Sequence, residues 1–88
     1  MTEEVDMPNR IYDKDEANEL REKVDKFAAA MKKKFIEKLA EGYSGWDNPE
    51  FTIDNISLEI VEHLGDELKG EKEAVDIGNF AMMLWMRE

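Results

Sequence analysis

The chain has 88 residues, no cysteine, a single histidine and a formal net charge of −10 at pH 7. This length allows one small domain, and the lack of cysteine excludes disulfide bonds and thiolate metal sites within the chain. One histidine, His63, also excludes a zinc site built from several histidines of one chain. The negative charge opposes binding to nucleic acid and to anionic membranes, so we expect neither as a partner.

The sequence lacks the common marks of export and of membrane insertion. Residues 1–10, MTEEVDMPNR, are acidic and contain no apolar stretch of the kind found in signal peptides. The longest apolar run, Phe80 to Met86, is too short to cross a bilayer. We therefore expect a cytoplasmic protein.

The N-terminal segment differs in pattern from the rest of the chain. Residues 1–12 are polar, include a proline and show no hydrophobic period, which predicts a flexible tail. From residue 13 onward the apolar residues recur at helical spacing. The sequence therefore predicts one domain over residues 13–88.

The first helix is predicted over residues 14–41. Asp13 or Asp15 provides its N-cap, and Gly42 suits the left-handed position just after its end. Its apolar residues recur at steps of three and four, the period of one helical face. These residues are Leu20, Val24, Phe27, Met31, Phe35 and Leu39.

Two further helices follow a loop that is rich in Gly, Asn, Asp and Pro. The second helix is predicted over residues 53–69, with Thr52 or Asp54 as its cap and Gly70 at its end. Its apolar stripe consists of Ile53, Ile56, Ile60, Val61, Leu64 and Leu68. A third helix is predicted to start near Glu71 and to run to the end of the sequence. No strand pattern competes with these three helices, so the predicted class is all-α.

The third helix is apolar on nearly every side, since nine of the twelve residues from Val75 to Met86 are apolar. A water-soluble helix of this kind is surrounded by protein, and two other helices of one small chain scarcely cover it. We therefore expect a homo-dimer or homo-tetramer with this helix near the shared core. The alternative is that Met82 and Met86 are simply half-exposed.

Two pairs of acids are candidate metal ligands: Glu59 with Glu62, and Glu73 with Asp76. Each pair has i, i+3 spacing, which stacks two carboxylates one helical turn apart. On adjacent antiparallel helices the four carboxylates can share one pocket, where Mg²⁺ or Mn²⁺ relieves their repulsion. For the pair on the second helix, a solvated helix face is the alternative explanation.

Asp76 and Asn79 strengthen the metal-site interpretation because both lie within the most apolar stretch of the chain. An ionised carboxylate in an apolar helix costs several kcal/mol unless it is paired or coordinated. The carboxamide of Asn79, about one turn further on, also needs hydrogen-bond partners. We therefore expect both side chains to serve a polar site.

The pattern E-x-x-E, ten residues, E-x-x-D, followed by Asn79, resembles the signature of the all-α nucleoside triphosphate pyrophosphohydrolases, the MazG-like superfamily. The resemblance covers roughly residues 20–88, and EAVDIGNFAMML looks like the second metal-binding helix of that superfamily. It implies a helical oligomer that uses Mg²⁺ to convert a nucleoside triphosphate to the monophosphate and pyrophosphate. The ten-residue separation is short for the superfamily, which implies a divergent member.

Carried onto this chain, the resemblance implies four metal ligands, which are Glu59, Glu62, Glu73 and Asp76. It also implies that Asn79 lies near the sugar or phosphate of the substrate. Lys69 and Lys72 lie in the turn suited to a phosphate-binding lysine, and the alternative is that they only keep the loop soluble. Trp46 either stacks on a nucleobase or anchors its loop on the core, and the sequence leaves both open. His63 is interpreted as structural.

A second interpretation of the sequence involves no catalysis. The acidic helix faces could instead meet a basic partner, which would make the chain a helical interaction or oligomerisation protein. The lysines at 32–34 and Lys38 could attract a triphosphate or an acidic neighbouring subunit, although such runs are commonly a solvated helix face. The leading interpretation remains a Mg²⁺-dependent nucleotide pyrophosphohydrolase or a divergent relative.

Overall fold

The computed structural model describes residues 13–88, and the predicted tail over residues 1–12 lies outside this range. The described residues form three α-helices: α1 (Lys14–Ala40), α2 (Ile53–Leu68) and α3 (Ala74–Arg87). They contain no strand, so the predicted all-α class is confirmed. None of these three helices is long and apolar enough to cross a membrane.

The ends of α1 and α2 follow the local sequence signals. The Asp13 side chain accepts a 3.1 Å hydrogen bond from the backbone N–H of Glu16, which caps α1. Gly42 follows the end of α1 with a φ of +100°, a conformation that glycine adopts without steric cost. Thr52 caps α2 and forms a capping box with Asn55. Both helices therefore match their predicted bounds to within one residue.

The prediction for the start of α3 was wrong by three residues, because α3 begins at Ala74 and not at Glu71. The backbone N–H of Glu71 donates to the carbonyl of Asp66 at 3.1 Å and so belongs to the end of α2. Glu73 is the N-cap residue of α3, and its own backbone N–H donates to the Glu67 carboxylate at 2.9 Å. Glu71 and Glu73 therefore belong to the connection between α2 and α3 and not to α3 itself.

The helix α3 lies between the other two helices. It packs against both α1 and α2. By contrast, no Cα atom of α1 lies within 8 Å of a Cα atom of α2. Among the described residues the buried apolar side chains are Ile56, which is fully buried, and Met83. None of the 27 residues of α1 is buried. The core of a single chain is therefore small.

Two features bring α1 close to α3. The side-chain amide of Asn79, which is 7% exposed, donates a 3.2 Å hydrogen bond to the backbone carbonyl of Met31. Gly78 lies beside Phe27, and a Cβ atom at that glycine would sit only 2.8 Å from the ring. The absence of a side chain at Gly78 therefore lets the two helices approach closely, and the hydrogen bond of Asn79 joins α3 to the middle of α1.

Arg87, in the last turn of α3, holds the loop between α1 and α2. Its guanidinium group donates to the carbonyl oxygens of Phe51 at 2.6 Å, Trp46 at 2.9 Å and Asn48 at 3.1 Å. Trp46 also packs its ring against Phe35 of α1 in a T-shaped contact, with the ring centroids 6.5 Å apart. The loop is thus fixed by contacts to both α3 and α1.

We expect Arg87→Ala to lower the free energy of unfolding by about 1.5–3 kcal/mol, the usual effect of removing hydrogen bonds from a charged donor. Three backbone carbonyls would lose their common donor. Urea denaturation followed by far-UV circular dichroism measures the change. Arg87→Lys is the control: it keeps the charge without the planar fork and should recover only part of the loss. Wild-type stability of Arg87→Ala would show that other contacts fix the loop.

Candidate metal centre

A cavity of about 360 Å³ opens where the C-terminal half of α1 faces α2 and α3. Three aromatic rings form part of its wall, and these belong to Phe35, Tyr43 and Phe80. Polar side chains from all three helices and from the loop after α1 complete the lining. They are Lys38, Ser44, Glu59, His63, Asp76 and Asn79. The cavity therefore combines apolar walls with convergent polar groups, as ligand sites do.

His63 on α2 occupies the middle of the polar groups. A hydrogen bond joins its Nδ1 to Oε1 of Glu73, the residue that precedes α3. Its Nε2 lies 3.8 Å from Oε1 of Glu59, one helical turn earlier on α2. The imidazole ring also packs on Phe80, with the ring centroids 5.3 Å apart. The ring of His63 is thus positioned between two carboxylates by contacts from both helices.

Asp76 completes the group from the first turn of α3. Ligand atoms of His63, Glu73 and Asp76 all lie within 4.8 Å of one another. In an octahedral site with ligands about 2.1 Å from the ion, neighbouring ligand atoms are about 3.0 Å apart and opposite ones about 4.2 Å, so these three side chains would have to move closer together to bind one ion. Oδ2 of Asp76 is meanwhile 3.7 Å from Nζ of Lys34, which partly neutralises the carboxylate.

The four predicted metal ligands do not all meet. Glu73 and Asp76 belong to the convergent group, and Glu59 lines the cavity beside them. Glu62 is exposed on the surface of α2 and makes no hydrogen bond or ion pair with any residue in 13–88. His63 stands in the place that Glu62 was expected to take, because the residue at i+4 from Glu59 faces the same side of a helix as Glu59.

Of the three predicted substrate-binding residues, one lines the cavity and two do not. Asn79 lines it, but its amide nitrogen already donates a hydrogen bond to the carbonyl of Met31. Trp46 does not line the cavity and instead packs on α1. Lys72 is exposed in the connection between α2 and α3, away from the lining. Lys38 is the lysine that lines the cavity, with its Nζ 5.0 Å above the ring of Tyr43.

His63 and Lys38 were not among the predicted site residues: the sequence analysis interpreted His63 as structural and considered Lys38 only as part of a lysine-rich run that is commonly a solvated helix face. The spacing of Glu59 and His63 at i, i+4 is a signal for a shared helix face, and it was available in the sequence. Lys38 falls seven residues after Met31, within the apolar stripe of α1, so it shares the face that α1 turns toward α3. Both positions could have been found from helical spacing.

No family model, curated protein or solved structure matches this chain. The donor set of the site is therefore the guide to its ligand. Carboxylate oxygens suit Mg²⁺ and Mn²⁺, whereas an imidazole nitrogen is a ligand for transition-metal ions and is unusual for Mg²⁺. One imidazole with two or three carboxylates thus fits a divalent transition-metal ion such as Mn²⁺ better than it fits Mg²⁺.

Proposed function

We propose that Glu59, His63, Glu73 and Asp76 form a divalent-metal site, named here the metal cluster, that serves the hydrolysis of nucleoside triphosphates to monophosphates and pyrophosphate. One observation carries the proposal: ligand atoms of His63, Glu73 and Asp76 lie within 4.8 Å of one another. Two of these residues, His63 and Asp76, line a cavity that Lys38 also lines. The activity is the one implied by the resemblance to MazG-like pyrophosphohydrolases, of which this chain would be a divergent member.

The metal cluster is proposed to take Mn²⁺ in preference to Mg²⁺ because His63 supplies a nitrogen ligand. When bound, the ion would polarise phosphoryl oxygens and lower the pKa of a bound water. The protein itself would hold His63 in place, since Phe80 packs on one face of the ring. A fixed ligand orientation of this kind raises metal affinity.

The lysines of α1 would attract the phosphate chain to an otherwise acidic cavity. Lys38 lines the cavity, and Lys34 lies at its edge through its ion pair with Asp76. A phosphate oxygen near these ammonium groups would gain charge-assisted hydrogen bonds. The rings of Tyr43 and Phe80 offer apolar faces against which a base or a sugar can pack.

We expect the protein with Mn²⁺ to release pyrophosphate from at least one nucleoside triphosphate. The assay is a pyrophosphatase-coupled phosphate assay on a panel of ribonucleotides and deoxyribonucleotides. Lys38→Ala should raise KM, whereas the matched variant Lys72→Ala should leave KM unchanged because Lys72 lies outside the cavity. His63→Ala should lower kcat/KM by at least the factor of about 10–100 typical of weakened metal sites. No release from any nucleotide would overturn the pyrophosphohydrolase proposal.

A second candidate function is the non-catalytic one, a helical interaction or oligomerisation protein. One observation favours it: thirteen large apolar or aromatic residues within the described range are exposed in the single chain. The described residues bury only Ile56 and Met83 as apolar side chains, and domains with so small a core commonly gain stability by association. We propose a homo-dimer or homo-tetramer under either function.

A further inference from the structure

The lysines near the C-terminal end of α1 do not all face the same way. Lys32 and Lys33 are exposed, whereas Lys34 and Lys38 are half-buried. The two half-buried lysines are four residues apart, so they share one face of the helix, and this is the face that α1 turns toward α3. Two members of the run therefore lie at the candidate site, and two lie in solvent.

The ion pair of Lys34 differs from the other lysine ion pairs of residues 13–88. It joins two helices, because Nζ of Lys34 lies 3.7 Å from Oδ2 of Asp76 on α3. The other two lysine pairs join residues only three or four positions apart, and their side chains are 44% to 66% exposed. The side chain of Asp76 is 17% exposed and that of Lys34 is 37% exposed, so water and salt screen this pair less.

The partner of Lys34 is one of the proposed ligands of the metal cluster. The ligand atoms of His63, Glu73 and Asp76 lie within 4.8 Å of one another, so an ion held there would lie close to the lysine ammonium group. Two cations beside one carboxylate repel each other, and the repulsion is stronger for a divalent ion than for a monovalent one. Binding of a metal ion therefore either displaces the ammonium group from Asp76 or takes place against its repulsion.

We infer that Lys34 is a built-in competitor for the metal ion at Asp76 and that it lowers the metal affinity of the metal cluster. The inference rests on the proposed metal cluster. The flexible stem of lysine allows the ammonium group to leave Asp76. A phosphate group in the cavity would draw it away, so an anion and the metal ion would each strengthen the binding of the other.

Competition and simple positioning predict opposite effects of removing the charge at Lys34. If Lys34 competes with the metal ion, Lys34→Met frees the Asp76 carboxylate and tightens metal binding. If Lys34 only holds Asp76 in place, the same variant loosens a ligand and weakens metal binding. The direction of the change in Kd therefore decides between the two roles.

Isothermal titration of the full metal-free chain with Mn²⁺ at low salt measures this Kd. We expect the Kd of Lys34→Met to be at least about threefold lower than that of the wild type. Lys34→Gln should shift the Kd in the same direction, and Lys34→Arg, which keeps the charge, should stay near the wild type. The matched control is Lys33→Met, which removes the same charge from an exposed neighbour and should leave the Kd unchanged. Far-UV circular dichroism verifies that each variant keeps its helices.

Ionic strength gives a second readout that a structural role would not move. Raising NaCl from about 0.05 M to about 0.5 M should reduce the difference in Kd between the wild type and Lys34→Met, because salt screens charge repulsion. An equal or higher Kd for Lys34→Met at low salt would overturn the inference. Absence of Mn²⁺ binding in both proteins would overturn the inference together with the metal cluster. Tighter binding in Lys34→Met without pyrophosphate release would uphold the inference and exclude the hydrolysis, so the two proposals can be told apart.

Discussion

Replacing Asp76 with asparagine is expected to abolish the stabilisation of the protein by Mn²⁺. Asp76 is proposed to supply a charged ligand atom to the metal cluster, and asparagine keeps the shape of the side chain while it removes the charge. For the wild type, Mn²⁺ at about 100 times its Kd should add about 2.7 kcal/mol to the free energy of unfolding. In a domain of this size that is a rise in Tm of about 10–20 °C. Thermal unfolding with and without Mn²⁺ measures both proteins.

Glu62→Gln is the matched control for Asp76→Asn, and it separates the sequence motif from the geometry. The motif predicts that Glu62 is a metal ligand, whereas the structure places its side chain at the surface, outside the proposed metal cluster. We therefore expect Glu62→Gln to keep the full Mn²⁺ shift. A lost shift in Glu62→Gln would favour the four-carboxylate motif, and a full shift in Asp76→Asn would exclude the metal cluster. The ion pair of Asp76 with Lys34 is partly exposed, so its loss should cost metal-free stability little.

The helices could be predicted from the sequence because their signals are local. Asp13, Thr52 and the glycine after each of the first two helices mark the helix ends, and a cap acts through residues only three or four positions away. The start of α3 depends on a different kind of contact. The backbone N–H of Glu73 donates a hydrogen bond to the side chain of Glu67, six residues earlier. The helix propensities of residues 71–73 do not reveal such a contact.

The candidate site could be predicted only in part, because its geometry depends on how α2 is rotated about its axis. Glu73 and Asp76 lie only three residues apart on one chain segment, so their proximity could be expected from the sequence, and the structure places their ligand atoms within 4.8 Å of each other. The rotation of α2 decides whether Glu62 or His63 faces α3, and the apolar residues that set it occupy two faces. The sequence does not distinguish the face that α3 buries from the face that the chain leaves exposed.

The small core explains why one substitution in α2 should have the largest effect on stability. We expect Ile56→Ala to lower the free energy of unfolding by about 2–5 kcal/mol, the range for truncating a fully buried aliphatic side chain. Ile56 is 0% exposed, and no other residue in the described range is as fully enclosed. Native domains have only about 5–15 kcal/mol of stability in total, so much of the fold would be lost. Urea denaturation at a fixed protein concentration measures the change, since self-association makes stability concentration-dependent.

Leu58→Ala is the matched control for Ile56→Ala, because it also truncates an aliphatic side chain on α2. Leu58 is 55% exposed, so its replacement should change the free energy of unfolding by no more than about 0.5 kcal/mol. The contrast separates burial from helix propensity, since both variants gain the same alanine in the same helix. Equal effects of the two substitutions would contradict the packing of α2 on α3, and with it the placement of His63 beside Glu73.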